Sequence, residues 1–89
     1  SQKLVPDLKG QLTLAKEVLV ITPSIRAAIK NNNTDEIYMM INQAADLGMI
    51  TMEQDLKSLY ENKKISFDMA LKFANNKTLF KQITGRSLL

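Results

Sequence analysis

Thr22-Pro23-Ser24-Ile25-Arg26-Ala27-Ala28-Ile29-Lys30 is the stretch at which the chain changes character. Thr22 carries a hydroxyl that can accept the free N–H groups of a first helical turn, and Pro23 suits the first helical position, where its missing N–H costs nothing. A helix is therefore predicted to start here. Within it Ile25, Ala28 and Ile29 fall at i, i+3 and i+4, which predicts a buried side, while Arg26 and Lys30 make a basic ridge on another side. C-terminal to this point the pattern stays helical, and N-terminal to it the pattern reads as strand.

Working toward the C-terminus, Thr34 is predicted to cap a second helix with an apolar stripe of Ile37, Met40, Ile41, Ala44 and Leu47, stopped by Gly48. Thr51 with Gln54 three residues on is a capping box for a third helix, whose inward residues are Met52, Leu56, Leu59 and Tyr60 and which Asn62 ends. Ser66 opens a fourth, with Phe67, Ala70, Leu71 and Ala74 inward and Asp68 near its positive end. Asn76 caps a last one through Leu79, Phe80 and Ile83, before Gly85. Met40 and Met52 are assigned to the core by their spacing. Met39 and Met69, with Tyr38 and Phe73, lie off the main stripes and are candidates for a second apolar face.

Toward the N-terminus, Gln2 to Val5 is a short apolar run broken by Pro6, Lys9-Gly10 signals a turn, and Leu12 to Ile21 ends in β-branched residues. Two strands in a hairpin are expected. A helix over Leu12 to Leu19 stays open, because Leu12, Ala15, Lys16 and Leu19 also fit helical spacing. The expected fold is mainly α, a compact antiparallel bundle of about five short helices preceded by a β-hairpin, with residues 1–21 and 22–89 as its two parts.

Composition narrows the chemistry. A chain of 89 residues is one small domain, burying about 60 to 65% of its unfolded surface. With no Cys and no His it offers no disulfide, no Cys/His zinc site and no imidazole base. The apolar run Val18 to Ile21 is far short of the roughly 20 residues of a bilayer span. A net charge of +3, from 12 basic and 9 acidic residues, is too mild and dispersed to announce nucleic acid, and Lys63-Lys64 reads as a solvated turn. No Gly-x-x-x-x-Gly-Lys-Ser/Thr loop is present to cradle phosphates. The acidic residues Asp46, Glu53 and Asp55 read as solvated helix faces, so no catalytic, cofactor-binding or metal-binding residue is assigned.

The same residues carry a family resemblance. Ser24 to Asn31, read as Ser-Ile-Arg-Ala-Ala-Ile-Lys-Asn, is similar to the Ala-Ile-Arg-Asn-Leu-Ile-Arg-Glu signature of the PilT-type ATPases, the hexameric motors that retract type IV pili. Ala15-Lys16-Glu17-Val18-Leu19 lies ahead of the Thr-Pro pair. Gly48 to Leu56 resembles the family's Gly-Met-x-Thr-Met-Asp-Gln-x-Leu, and Lys64 to Leu71 its Ile-Ser-x-Glu-x-Ala. The likeness runs in order over essentially the whole chain.

That resemblance implies the C-terminal region of a longer retraction ATPase, with residues 1–21 closing a RecA-like sheet and 22–89 forming the helical subdomain after it. It implies ATP and magnesium in the parent, and a homohexamer in which this region meets its own ATPase core and neighbouring subunits. It also implies pilus inner-membrane machinery as partner and a cytoplasmic location at the inner face of the membrane. Nucleic acid is not expected as a partner.

Ser24, Ile25, Arg26, Ile29 and Lys30 are the candidate site residues, in a helix that the family places where nucleotide state couples to retraction. Ala27 and Ala28 stand where the signature has Asn and Leu, Lys30 where it has Arg, and Asn31 where it has Glu. Lysine supplies a point charge without the planar fork of arginine. Two alternatives remain open. One is a related pilus-assembly or type II secretion ATPase, and the other is a free-standing helical interaction module. On composition alone, Arg26 and Lys30 are a surface ridge complementing the helix dipole, worth about 0.3 to 1 kcal/mol.

Overall fold

The computed structural model describes residues 2–17 and 22–85. Strands β1 (Gln2–Pro6) and β2 (Leu12–Lys16) pair antiparallel, with Leu4 opposite Leu14 and Val5 opposite Thr13. Asp7 builds the turn between them. Its Oδ1 accepts the N–H groups of Lys9 and Gln11, each at 2.8 Å, and Gly10 takes the positive φ of +80° that the reversal requires. Leu12 to Lys16 is thus strand and not helix, while the predicted continuation to Ile21 lies outside the described residues.

Among the described residues five helices follow: α1 (Pro23–Lys30), α2 (Thr34–Asp46), α3 (Met52–Glu61), α4 (Phe67–Phe73) and α5 (Lys77–Thr84). Thr22, Ser66 and Asn76 cap α1, α4 and α5 as expected, and Thr51 with Gln54 forms the capping box of α3. Two expectations for α2 are corrected. Its N-cap is Asn33, whose side chain both accepts from the Glu36 N–H and donates to the Glu36 carboxylate, so Thr34 becomes the first helical residue. Leu47 is 76% exposed, because α2 ends at Asp46 and Gly48, at φ +77°, turns the chain away before Leu47 can join the stripe.

The core has two clusters that meet on α5. The first takes Val5 and Ala15 from the inner face of the hairpin, Met52 and Leu56 from α3, Phe67 and Ala70 from α4, and Phe80 from α5. The second joins Ile25, Ala28 and Ile29 of α1 to Ile37 and Ile41 of α2, with Leu79 and Ile83 of α5. Adjacent residues of α5, Leu79 and Phe80, therefore serve different clusters. The Phe67 ring lies 5.4 Å from those of both Tyr60 and Phe80, edge-on to the former.

Burial corrects two further expectations. Met69 and Phe73 pack against the first cluster, whereas Met39 stays 55% exposed and Tyr38 turns its hydroxyl to donate to the Ile83 carbonyl at 3.0 Å. The four therefore form no common face. Glu53 is not on a solvated face: it is wholly buried, because the joint between α4 and α5 folds over the first turn of α3 and presents two N–H groups to it. Asp46 is exposed as expected, and Asp55 is half-buried, accepting the Lys16 N–H at 2.6 Å.

Candidate functional site

The basic helix is positioned from both ends. At its start the Thr22 Oγ1 accepts the Ile25 N–H at 3.2 Å and Pro23 occupies the first turn, which fixes where the helix begins. Ile25 and Ile29 then point into the second core cluster, and Ser24, Arg26 and Lys30 face solvent. The five candidate residues are thus split, two holding the helix down and three presented outward. Among the described residues neither Arg26 nor Lys30 makes an ion pair or side-chain hydrogen bond, so the ridge is a pair of solvated cations four residues apart. Lys30 sits in the last turn, where it complements the negative end of the dipole.

At the other end the chain leaves α1 through Asn31, Asn32 and Asn33, with Asn32 in the left-handed region at φ +53°, a conformation asparagine tolerates. Gln82 of α5 closes this end. Its Nε2 donates to the Ile29 carbonyl at 3.2 Å and to the Asn32 Oδ1 at 2.8 Å, adding a second donor to a carbonyl that already accepts the Asn32 N–H at 3.1 Å. The sequence gives no spacing signal for Gln82. A polar residue between Leu79 and Ile83 acquires its role only once α5 lies across the end of α1.

The three glycines, Gly10, Gly48 and Gly85, each occupy an isolated turn at φ between +70° and +80°, and none belongs to a loop that could wrap phosphates. Among the described residues no three His, Cys, Asp or Glu side chains converge as metal ligands. A cleft of about 260 Å³ between α2, α3 and α5, lined by Tyr38, Ile41, Ile50, Lys57 and Ile83, takes in none of the five candidate residues. The sequence carries no Gly-x-x-x-x-Gly-Lys-Ser/Thr loop. Calorimetric titration of the chain with magnesium-ATP should accordingly show no saturable binding tighter than about 1 mM, roughly 4 kcal/mol. A tighter isotherm would overturn this reading.

No family model matches the chain. Among curated proteins it is similar to the type IV pilus retraction ATPase PilT of Pseudomonas aeruginosa strain PAO1, at 33% identity over 70 residues. The match covers 79% of this chain and 20% of that protein, so the chain spans about a fifth of its relative's length. What the chain resembles is therefore one region of a PilT-like ATPase.

Proposed function

We propose that this chain works as the C-terminal helical region of a type IV pilus retraction ATPase. The 33% identity to PilT over 70 residues carries this reading. In it the ATPase core elsewhere in the parent binds and hydrolyses ATP with magnesium, in a ring of six subunits on the cytoplasmic side of the inner membrane. The basic helix α1 transmits the resulting shift toward pilin disassembly, through contacts of Arg26 and Lys30 with the core or a neighbouring subunit. The outer face of the hairpin supports this: Leu4 and Leu12 are 58% and 62% exposed, an apolar face that suits cover by a further layer of the parent. The burial of Val5 and Ala15 among α3, α4 and α5 favours a second reading, a self-sufficient interaction module.

Arg26→Ala separates a functional ridge from a structural one. Because Arg26 faces solvent, the substitution should change the stability of this chain by no more than about 0.5 kcal/mol in chemical denaturation. In the full-length parent it should slow retraction while leaving the ring assembled. Twitching at the wild-type rate would remove the ridge from the mechanism.

A further inference from the structure

Glu53 is the buried ionisable side chain among the described residues, with 0% of its surface exposed in the first turn of α3. Its Oε2 accepts two consecutive N–H groups, those of Asn75 at 2.8 Å and Asn76 at 3.2 Å, which form the joint between α4 and α5. Its Oε1 is equally buried and has no hydrogen-bond partner. A buried acceptor left unpaired is costly and rare. A second carboxylate reaches the same place from the end of β2. The Glu17 Oε1 accepts the Met52 N–H at 3.3 Å and the Asn75 Nδ2 at 3.5 Å. Asn76 is also the cap of α5, its Oδ1 accepting the Leu79 N–H at 2.9 Å. The end of β2, the start of α3 and the α4–α5 joint thus meet on one pair of carboxyl groups.

We propose that this meeting point is a proton-responsive joint, in which uptake of one proton by Glu53 removes a buried, half-unpaired charge, ends the repulsion from Glu17 and stabilises the packing of the three segments on one another. Burial is the main force lifting the Glu53 carboxyl above its ordinary value of 4.5; the N–H groups of Asn76, Asn75 and Glu53 itself pull it down, and the Glu17 charge adds to the rise. The remaining charges around it are otherwise engaged. Asp55 on α3 holds the Lys16 N–H, Lys3 of β1 donates to the Phe73 carbonyl, and Lys77 of α5 donates to the carbonyls of Lys72 and Ala74. Lys16 and Lys72 are exposed.

The sign follows from linkage. The folded chain takes up this proton at higher pH than the unfolded chain does, so the stabilisation is complete below the ordinary carboxylate value and is lost as pH rises through the raised one. The inference rests on the junction alone and is independent of the ATPase reading.

Carboxyl-detected NMR titration of the 89-residue chain, combined with thermal melts, tests it. Glu53 should titrate above 4.5, and the amide protons of Asn75 and Asn76 should shift with the same midpoint. Glu53→Gln keeps an acceptor for those two N–H groups and removes the buried charge. That variant should melt higher than wild type near neutral pH, the difference closing as pH falls through the wild-type midpoint, and its Asn75 and Asn76 amides should lose the transition. Glu17→Gln should move the Glu53 midpoint down. A Glu53 midpoint at or below 4.5, amides of Asn75 and Asn76 that ignore it, a Gln variant that melts lower at neutral pH, or a midpoint unmoved by Glu17→Gln would each overturn the proposal.

Discussion

Phe80→Ala is expected to cost about 3 to 5 kcal/mol, a large share of the total in a domain whose stability is about 5 to 15 kcal/mol. Phe80 is fully buried in the first cluster, with its ring against Phe67, which in turn meets Tyr60. Truncation removes the transfer free energy of the ring, leaves a cavity between α5 and α4, and deletes an aromatic contact worth about 0.5 to 1.5 kcal/mol beyond its area. Alanine is the better helix former, so helix propensity works against the loss and cannot be its source. Urea denaturation measures the effect. A loss below about 1 kcal/mol would show that the hairpin and α3 close this core without α5.

The parts of this fold that were legible in the sequence are those decided within a few residues. Thr22, Thr51, Ser66 and Asn76 each bond an N–H three positions on, so the signal and the interaction share one local segment. The stripes Ile25-Ala28-Ile29 and Leu79-Phe80-Ile83 were legible for the same reason. Asn33 and Thr34 are both good caps standing side by side, and the choice fell to Asn33 because its amide can both accept from and donate to Glu36.

The hairpin shows a different limit. It alternates Leu4, Leu12 and Leu14 on one face with Val5 and Ala15 on the other, so apolarity alone does not say which face is covered. Glu53 and Gln82 were illegible because their partners lie 22 or more positions away, in the α4–α5 joint and at the end of α1. Of the candidate site, spacing sufficed to divide Ile25 and Ile29 from Arg26 and Lys30.

Leu79→Ala should loosen α1 and α2 ahead of everything else. The second cluster is closed from below by Leu79 and Ile83, and the polar attachments of these two helices run to the same element, through Gln82 to Ile29 and Asn32 and through Tyr38 to Ile83. Leu79 is fully buried, so its truncation should cost about 2 to 5 kcal/mol, which corresponds to amide exchange in α1 and α2 faster by roughly 30-fold or more. The hairpin, α3 and α4 keep Phe80 as their closure and should retain most of their protection. Site-resolved hydrogen exchange distinguishes this from its opposite, in which every amide accelerates alike and the two clusters form one cooperative unit. The distinction bears on α1 directly: a helix whose attachment runs through one shared element can change its packing while the rest of the domain holds, which is what a two-position coupling element requires.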